Sequence, residues 1–117
     1  MKGEKMRKLD VFAKRPGSKP YHTAISDNLE NLQRFVGGPI EVVPIISDVI
    51  IICNENGKID GVSKYNCTIL GEQFFGPLIF CGVNGEDFAD VPIKWEVFKT
   101  VFPNLFTKEE SNAYGKF

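Results

Sequence analysis

Apolar residues recur with a helical period in the segment that follows residue 27. They occupy positions i, i+3, i+6 and i+7, which places them on one face of a short helix. These residues are Leu29, Leu32, Phe35 and Val36. Asp27 and Glu30 are expected to form a capping box at the helix start. Gly37 is expected to end the helix in the left-handed conformation, and Pro39 prevents the helix from resuming.

Short apolar runs before and after this helix predict the strands of an antiparallel sheet. The runs cover residues 9–13, 21–25, 40–46, 49–54, 66–70 and 76–83. The segment 49–52 is apolar on both faces, as is typical of a central strand, whereas Pro44 fits an edge or a strand end. Asn56 and Gly57 predict a type I′ hairpin turn, after which residues 58–62 should return antiparallel.

A second helix is predicted over residues 94–102 and ends at Pro103. Trp95, Phe98 and Phe102 share one of its faces. The pattern as a whole predicts an α+β fold, a curved antiparallel sheet with two short helices. With 117 residues, of which 43% are hydrophobic and 25% charged, the chain fits one domain. Residues 1–8 are predicted to be a flexible basic start and residues 104–117 a tail.

The charge balance argues against a protein that coats nucleic acid or a membrane surface. Fourteen Lys and Arg residues face fifteen Asp and Glu residues, for a net charge of -1. Seven basic side chains nevertheless lie between Lys2 and Lys19, together with the Met1 amine. A solvated start that aids solubility is the favoured interpretation of this arm, and attraction of phosphates is the alternative.

Cysteine and histidine usage predicts a reducing, cytoplasmic compartment and no metal or cofactor. Cys53, Cys67 and Cys81 are odd in number, and two of them lie inside apolar runs, so buried free thiols are expected. His22 is the single histidine, so a zinc site lacks ligands. We find neither a signal peptide nor an apolar run near the roughly 20 residues of a membrane span.

The sequence contains no recognisable set of catalytic residues. His22 stands alone in a predicted strand, and apolar burial raises the pKa of a thiol. The carboxylates of Glu86, Asp87 and Asp90 match no calcium loop, and a loop that caps the second helix is the favoured interpretation. We therefore expect a non-enzymatic protein.

Aromatic residues are abundant for a chain of this size, with ten Phe, three Tyr and one Trp. Phe74 and Phe75 are adjacent in a predicted strand, so only one of them can enter the core. Two interpretations stay open: a sheet covered by helices on one side and by another subunit on the other, or rings that stack on a nucleobase. Under the second interpretation the ligand-binding residues supply rings, cations and amides. They are Lys14, Arg15, Lys64, Tyr65, Asn66, Phe75, Phe80 and Asn84.

Four strings between residues 14 and 90 carry a resemblance. KRPGSKP, NLENLQRFVGGPIEVV, ICNENGKIDG with KYN, and FFGPLIFCGVNGEDF resemble a family of small domains of unassigned function common in phages and mobile elements. Within it, the chain is most similar to the Thoeris anti-defence sponge proteins of phages. That resemblance implies binding of TIR-produced cyclic ADP-ribose isomers, or cyclic oligonucleotides, which are held away from the host effector.

Sequestration requires roughly nanomolar affinity, about 12 kcal/mol, which a small monomer struggles to supply. A homo-oligomer with nucleotide sites at subunit boundaries is therefore expected, with no DNA or membrane partner. Two alternatives remain. One is an inhibitor or adaptor that docks on a host protein through Phe106, Tyr114 and Phe117. The other is an enzyme that degrades the messenger with an acidic residue of 86–90 as general base.

Overall fold

An antiparallel sheet forms the centre of the molecule in a computed structural model that describes residues 7–107. The strands in chain order are β1 Lys8–Lys14, β2 Tyr21–Ser26, β3 Ile40–Pro44, β4 Ile50–Asn54, β5 Tyr65–Ile69, β6 Glu72–Phe75, β7 Leu78–Asn84 and β8 Asp87–Ala89. The helices are α1 Leu29–Val36 and α2 Trp95–Val101, and a 3₁₀ helix spans Pro103–Phe106. The predicted α+β fold, with an antiparallel sheet and two short helices, is confirmed.

The order of strands in the main sheet is β2-β1-β7-β4-β3, and β8 pairs with the end of β7. Two hairpins of neighbouring strands, β1–β2 and β3–β4, are joined by β7, which lies between them. Strands β5 and β6 form a separate hairpin. Residues 71–75, expected only to connect two strands, contain β6. Pro44 ends the edge strand β3, at a position where its nitrogen faces away from β4.

Both broad faces of the sheet are covered by the described part of the chain itself. Alternate residues of β4 point to opposite sides, so Ile52 packs with α1 while Ile51 packs with α2 and the β5–β6 hairpin. Strand β4 is therefore buried on both faces, as expected of a central strand. Within residues 7–107 this fold leaves no bare sheet face that another subunit would have to cover.

The N-cap of α1 lies one residue later in the chain than predicted. Asn28, not Asp27, is the N-cap, and its side-chain oxygen accepts a hydrogen bond of 2.9 Å from the Asn31 N–H. Asp27 instead continues the pairing with β1, because its N–H donates to the Arg7 carbonyl. The helix ends at Gly37 in the left-handed conformation, as predicted, with φ 92°. Only the later turns pack on the sheet, so Leu29, expected on the buried face, is 56% exposed.

The prediction of a hairpin at Asn56 and Gly57 is wrong. Residues 58–62 form no strand, because the Asn54 side chain accepts a hydrogen bond from the Asn56 N–H, and the Ile59 N–H donates to the Asn56 carbonyl. Glycine is needed at position 57 for a different reason than a positive φ. A Cβ there would lie 3.0 Å from the Phe75 carbonyl.

Helix α2 buries Phe98 and leaves Trp95 half-buried, and Phe102 is buried just beyond its end. The 3₁₀ helix then buries Leu105, so the packed part of the chain extends into the region assigned to the tail. Residues 1–6 of the basic start and residues 108–117 of the tail, with Tyr114 and Phe117, lie outside the described residues. None of the helices described is long and apolar enough to span a bilayer.

Candidate anion-binding groove

Two of the predicted ligand residues bind each other in the interior. Lys14 is 0% exposed, and its Nζ donates to the side-chain oxygen of Asn66 at 2.8 Å and to the Asn66 carbonyl at 3.3 Å. The Asn66 amide in turn donates to the carbonyls of Lys14 and Gly76, both at 2.8 Å. The expectation that Lys14 holds a phosphate and Asn66 a base edge is therefore wrong for this conformation. The pair instead fastens β5 to the main sheet.

Phe80 is a core residue. It is 0% exposed, and its ring lies 5.0 Å from the Phe98 ring of α2, so it cannot stack on a ligand. Phe75, the other aromatic candidate, is not a core residue. Phe74 is buried and Phe75 is half-buried, which confirms that one member of this adjacent pair enters the core.

The remaining candidates from the sequence lie at separate places. Tyr65 and Phe75 pair across the β5–β6 hairpin with their rings 5.8 Å apart, and Lys64 is exposed beside them. Asn84 lies at the exposed turn between β7 and β8. Since Leu78 pairs with Lys14, and Asn84 comes six residues later, Asn84 is about 20 Å along the sheet from Lys14.

Arg15 lies in a groove between β2 and α1. The groove has a volume of about 410 Å³ and opens to solvent. Its walls include Arg15, Ala24, Ser26, Asn31, Arg34 and Phe35. Arg15 comes directly after β1, Ala24 and Ser26 belong to β2, and the other three residues belong to α1. The groove thus exists because α1 packs on the face of the sheet beside β2.

The guanidinium of Arg15 is stacked on Phe35. Its Cζ lies 4.6 Å from the ring centroid, within the range of a cation–π contact. No carboxylate within residues 7–107 forms an ion pair with Arg15. Stacking uses the face of the planar guanidinium, so its N–H groups remain available for the bidentate contacts that arginine makes with phosphate.

Arg34 is fixed by two neighbours on α1. Its Nη1 donates to the side-chain oxygen of Asn31 at 2.6 Å, and its Nη2 lies 3.1 Å from the Glu30 carboxylate. Both charged groups are largely exposed, so this ion pair contributes little to stability. The contacts nevertheless hold a second guanidinium at the same groove as Arg15.

Strand β2 carries outward-facing backbone N–H groups beside the groove. The Asp27 N–H donates to the Arg7 carbonyl, and alternate residues of an antiparallel pair face the partner strand. The N–H groups of Thr23 and Ile25 therefore face β1, and those of Ala24 and Ser26 face outward. Two guanidinium groups and an apolar ring suit an organic anion.

The other charged clusters are structural or isolated. The Asp90 carboxylate accepts a hydrogen bond from the Asp10 N–H at 2.8 Å, and Asp87 belongs to β8. The acidic loop does not cap α2, whose N-cap Lys94 makes no side-chain cap bond. His22 Nε2 lies 3.0 Å from the Asp10 carboxylate in an exposed pair. Within residues 7–107, no three acidic, histidine or cysteine side chains are grouped to hold a metal ion.

All three cysteines are free and buried, as predicted. Burial, followed by the charges of Glu41 and Glu72, raises the pKa of the Cys53 thiol to about 11. Burial, with a smaller contribution from Asp27, raises the pKa of the Cys81 thiol to about 12. Both groups remain protonated at neutral pH, which is the opposite of what a nucleophilic cysteine needs.

Sequence reasoning included Arg15 but missed the rest of the groove. Arg34 is not among the candidate residues from the sequence, and Phe35 is expected on the buried face of α1. One sequence signal could have identified both residues. Arg34 and Phe35 are adjacent in the chain and lie at the border between the buried and the exposed face of the helix, where both side chains reach the edge of the packed surface.

The fold and groove define a small α+β domain in which one long strand joins two hairpins and a helix packs across one face of the sheet. The chain belongs to the family described as Domain of unknown function (DUF3846), whose model matches residues 6–101. This confirms the expected membership of a family of unassigned function. No curated protein and no solved structure matches the chain.

Proposed function

We propose that this protein binds a phosphate-bearing nucleotide in the groove between β2 and α1 and sequesters it without converting it. The observation that carries the proposal is the pair of guanidinium groups, Arg15 stacked on Phe35 and Arg34 held by Asn31, at one groove. Arginine is suited to phosphate because its planar fork makes two parallel charge-assisted hydrogen bonds.

The dimensions of the groove support a ligand of nucleotide size. Its volume of about 410 Å³ falls within the range of roughly 300–1,000 Å³ that is usual for small-molecule sites. Ile25 gives it an apolar wall, while Asn31 adds an amide that can fix orientation. The role proposed for these groups is to bind and orient a ligand, without a catalytic step.

The ligand class that we favour is the cyclic ADP-ribose isomers made by TIR enzymes, with cyclic oligonucleotides as further members. A pyrophosphate offers two adjacent phosphates to the two arginines that line this groove. The resemblance to the Thoeris anti-defence sponge proteins of phages supports the same assignment. In this proposal the protein acts in the host cytoplasm, as a homo-oligomer, and keeps the immune signal from its effector.

A second candidate function is docking on a host protein. Ile59 and Val62 are 81% and 80% exposed in the irregular segment between β4 and β5, an unusual pair of apolar side chains at a surface. Phe106, which the sequence offered for this role, is half-buried against Trp95 instead. Replacing Ile59 and Val62 by serine separates the two functions, because the groove is untouched.

The decisive experiment incubates the protein with TIR-generated cyclic ADP-ribose isomers and cyclic di- and trinucleotides, removes free ligand, and identifies what heat denaturation releases. We expect unchanged nucleotide. Arg15→Ala and Arg34→Ala should each weaken binding about 10- to 100-fold, since a hydrogen bond to a charged group contributes about 1.5–3 kcal/mol. Arg15→Lys should recover only part of the loss.

Lys64→Ala is the matched control, because Lys64 is an exposed cation outside the groove. It should bind like the wild type. No retention of any nucleotide would overturn the proposal in favour of protein docking. Release of a cleaved product would make the protein an enzyme, and loss of binding in Lys64→Ala alone would move the site to the β5–β6 hairpin.

A further inference from the structure

The two edges of the main sheet are protected to different degrees. Strand β3 at one edge carries Glu41 and ends at Pro44, and charges and prolines are the usual means by which edge strands avoid pairing with other chains. Strand β2 at the other edge runs Tyr21–Ser26 with neither a proline nor a Lys, Arg, Asp or Glu residue. Its register with β1 is regular over six residue pairs, so no bulge interrupts it.

The outward backbone groups of β2 form a set that is symmetric about Ala24. His22, Ala24 and Ser26 face away from β1, because their neighbours Thr23 and Ile25 bond to it. Within residues 7–107, β2 pairs with β1 alone. The Ser26 carbonyl accepts a bond from the Asn28 N–H, which leaves its second lone pair for another donor.

We propose that β2 is a self-association edge, at which a second copy of this chain adds its own β2 antiparallel, with the two-fold axis at Ala24. In this register Ala24 faces Ala24 of the other copy, and His22 faces Ser26. Every outward N–H from His22 to Ser26 then meets a carbonyl. The sheets of the two copies become one continuous sheet.

The side chains of β2 favour another β2 over a foreign peptide. On the face toward α1, Thr23 of each copy meets Ile25 of the other at a non-hydrogen-bonded position, where side chains are closest and β-branched pairs stabilise. Ile25 already packs against the core cluster under α1, so the contact extends that core across the boundary. His22 meets Ser26 and not a second His22, so no like charges face each other. A charged peptide would find no complementary charge on this strand.

The same pairing places the grooves of both copies on one face, on either side of the two-fold axis. Ala24 and Ser26 line each groove and also belong to the edge, so the two sites become neighbours. The pairing itself rests on the backbone and on β2, and it does not depend on the proposed nucleotide function. Both can therefore be tested separately, and the experiments below use protein without ligand.

The first test is the molecular mass in solution, measured by light scattering at micromolar concentration. We expect a dimer for the wild type and a monomer for Ala24→Pro, which removes an outward N–H and blocks the edge without touching a bond to β1. Val42→Pro is the matched control, because Val42 is exposed and faces outward on β3, two residues before Pro44. It should remain a dimer. A monomeric wild type, or a dimer that only Val42→Pro disrupts, would overturn the proposal.

A second test fixes the register. Ala24→Lys brings two like charges together at the axis and should weaken the dimer about fivefold, the upper end for a like-charge pair across strands. Mixing Ala24→Lys with Ala24→Glu should give a heterodimer tighter than either variant alone. Equal affinities in all three samples would contradict pairing at Ala24. Should the proline variant not fold, amide exchange of wild-type Ala24 decides: protection that is lost on dilution supports the dimer, and protection independent of concentration contradicts it.

Discussion

The amine of Lys14 and the side-chain oxygen of Asn66 lie 2.8 Å apart in the interior, although 52 positions separate them in the chain. Asn66 also donates to two carbonyls, those of Lys14 and Gly76. One amide side chain therefore satisfies a buried cation and two buried acceptors, and it connects β1, β5 and the start of β7. A charge buried this completely is tolerated only while its partners are present.

Asn66→Leu is expected to lower the free energy of unfolding by about 3–5 kcal/mol, because it removes the side-chain oxygen nearest to the buried Lys14 amine and the donor to the Lys14 and Gly76 carbonyls. Urea unfolding followed by circular dichroism measures the change. Lys64→Met removes a neighbouring exposed cation and should stay within about 0.5 kcal/mol of the wild type. A loss below about 1 kcal/mol for Asn66→Leu would mean that Lys14 finds another partner or water.

Phe80→Ala should cost about 3–5 kcal/mol of stability, since it empties a fully buried site against Phe98. Phe75→Ala should cost about 1 kcal/mol, because Phe75 is only half-buried. The comparison is made by denaturant unfolding of both variants. Similar losses would contradict the assignment of one ring to the core and the other to the surface of the hairpin.

Stability is expected to fall at alkaline pH because of the buried thiols. Burial raises the pKa of Cys53 to about 11 and that of Cys81 to about 12, from an ordinary value of 9.0. An unfolded chain therefore releases protons above about pH 9 that the folded chain retains. Each thiol lowers the free energy of unfolding by up to about 1.4 kcal/mol per pH unit in this window, and by nothing below it. Unfolding curves across the window should have a shallower pH dependence in Cys81→Ala.

Gly82→Ala tests the contact between β7 and the segment after β8. A Cβ on Gly82 would lie 2.6 Å from the Asp90 carbonyl, so the backbone must move. We expect a loss of about 1–3 kcal/mol, as for other insertions into tightly packed sites. Thermal unfolding gives the measurement, and Val83→Ala at the neighbouring exposed position is the control. An unchanged melting temperature would show that this contact yields without cost.

The elements that the sequence predicted well depend on residues close together in the chain. The left-handed end of α1 at Gly37 and the packing face of α2 follow from patterns within ten residues. Asn56 and Gly57 form no hairpin, although the dipeptide is a strong turn signal. The side chain of Asn54 instead accepts a hydrogen bond from the backbone of the turn. Local propensity could not reveal which hydrogen bond would form.

The candidate site was less accessible to sequence reasoning because it is made by packing. Lys14 and Arg15 are adjacent cations and look alike in the sequence, yet one is fully buried and the other lies at a groove. Strand alternation sends them to opposite faces of the sheet. The groove lies on the face of the sheet against which α1 packs, and the residue pattern of the strand does not indicate which face that is.

The position of β7 has a consequence for how the chain folds. The hairpins β1–β2 and β3–β4 are each made of neighbouring segments, but they share no direct ladder, and both pair with a strand that comes later. Until residues 78–84 arrive, no strand pairs with both hairpins. Closing the long loop from β1 to β7 costs chain entropy before its contacts form, which predicts slow folding with a late transition state for a domain of this size. During synthesis, the sheet cannot be completed until most of the domain has left the ribosome.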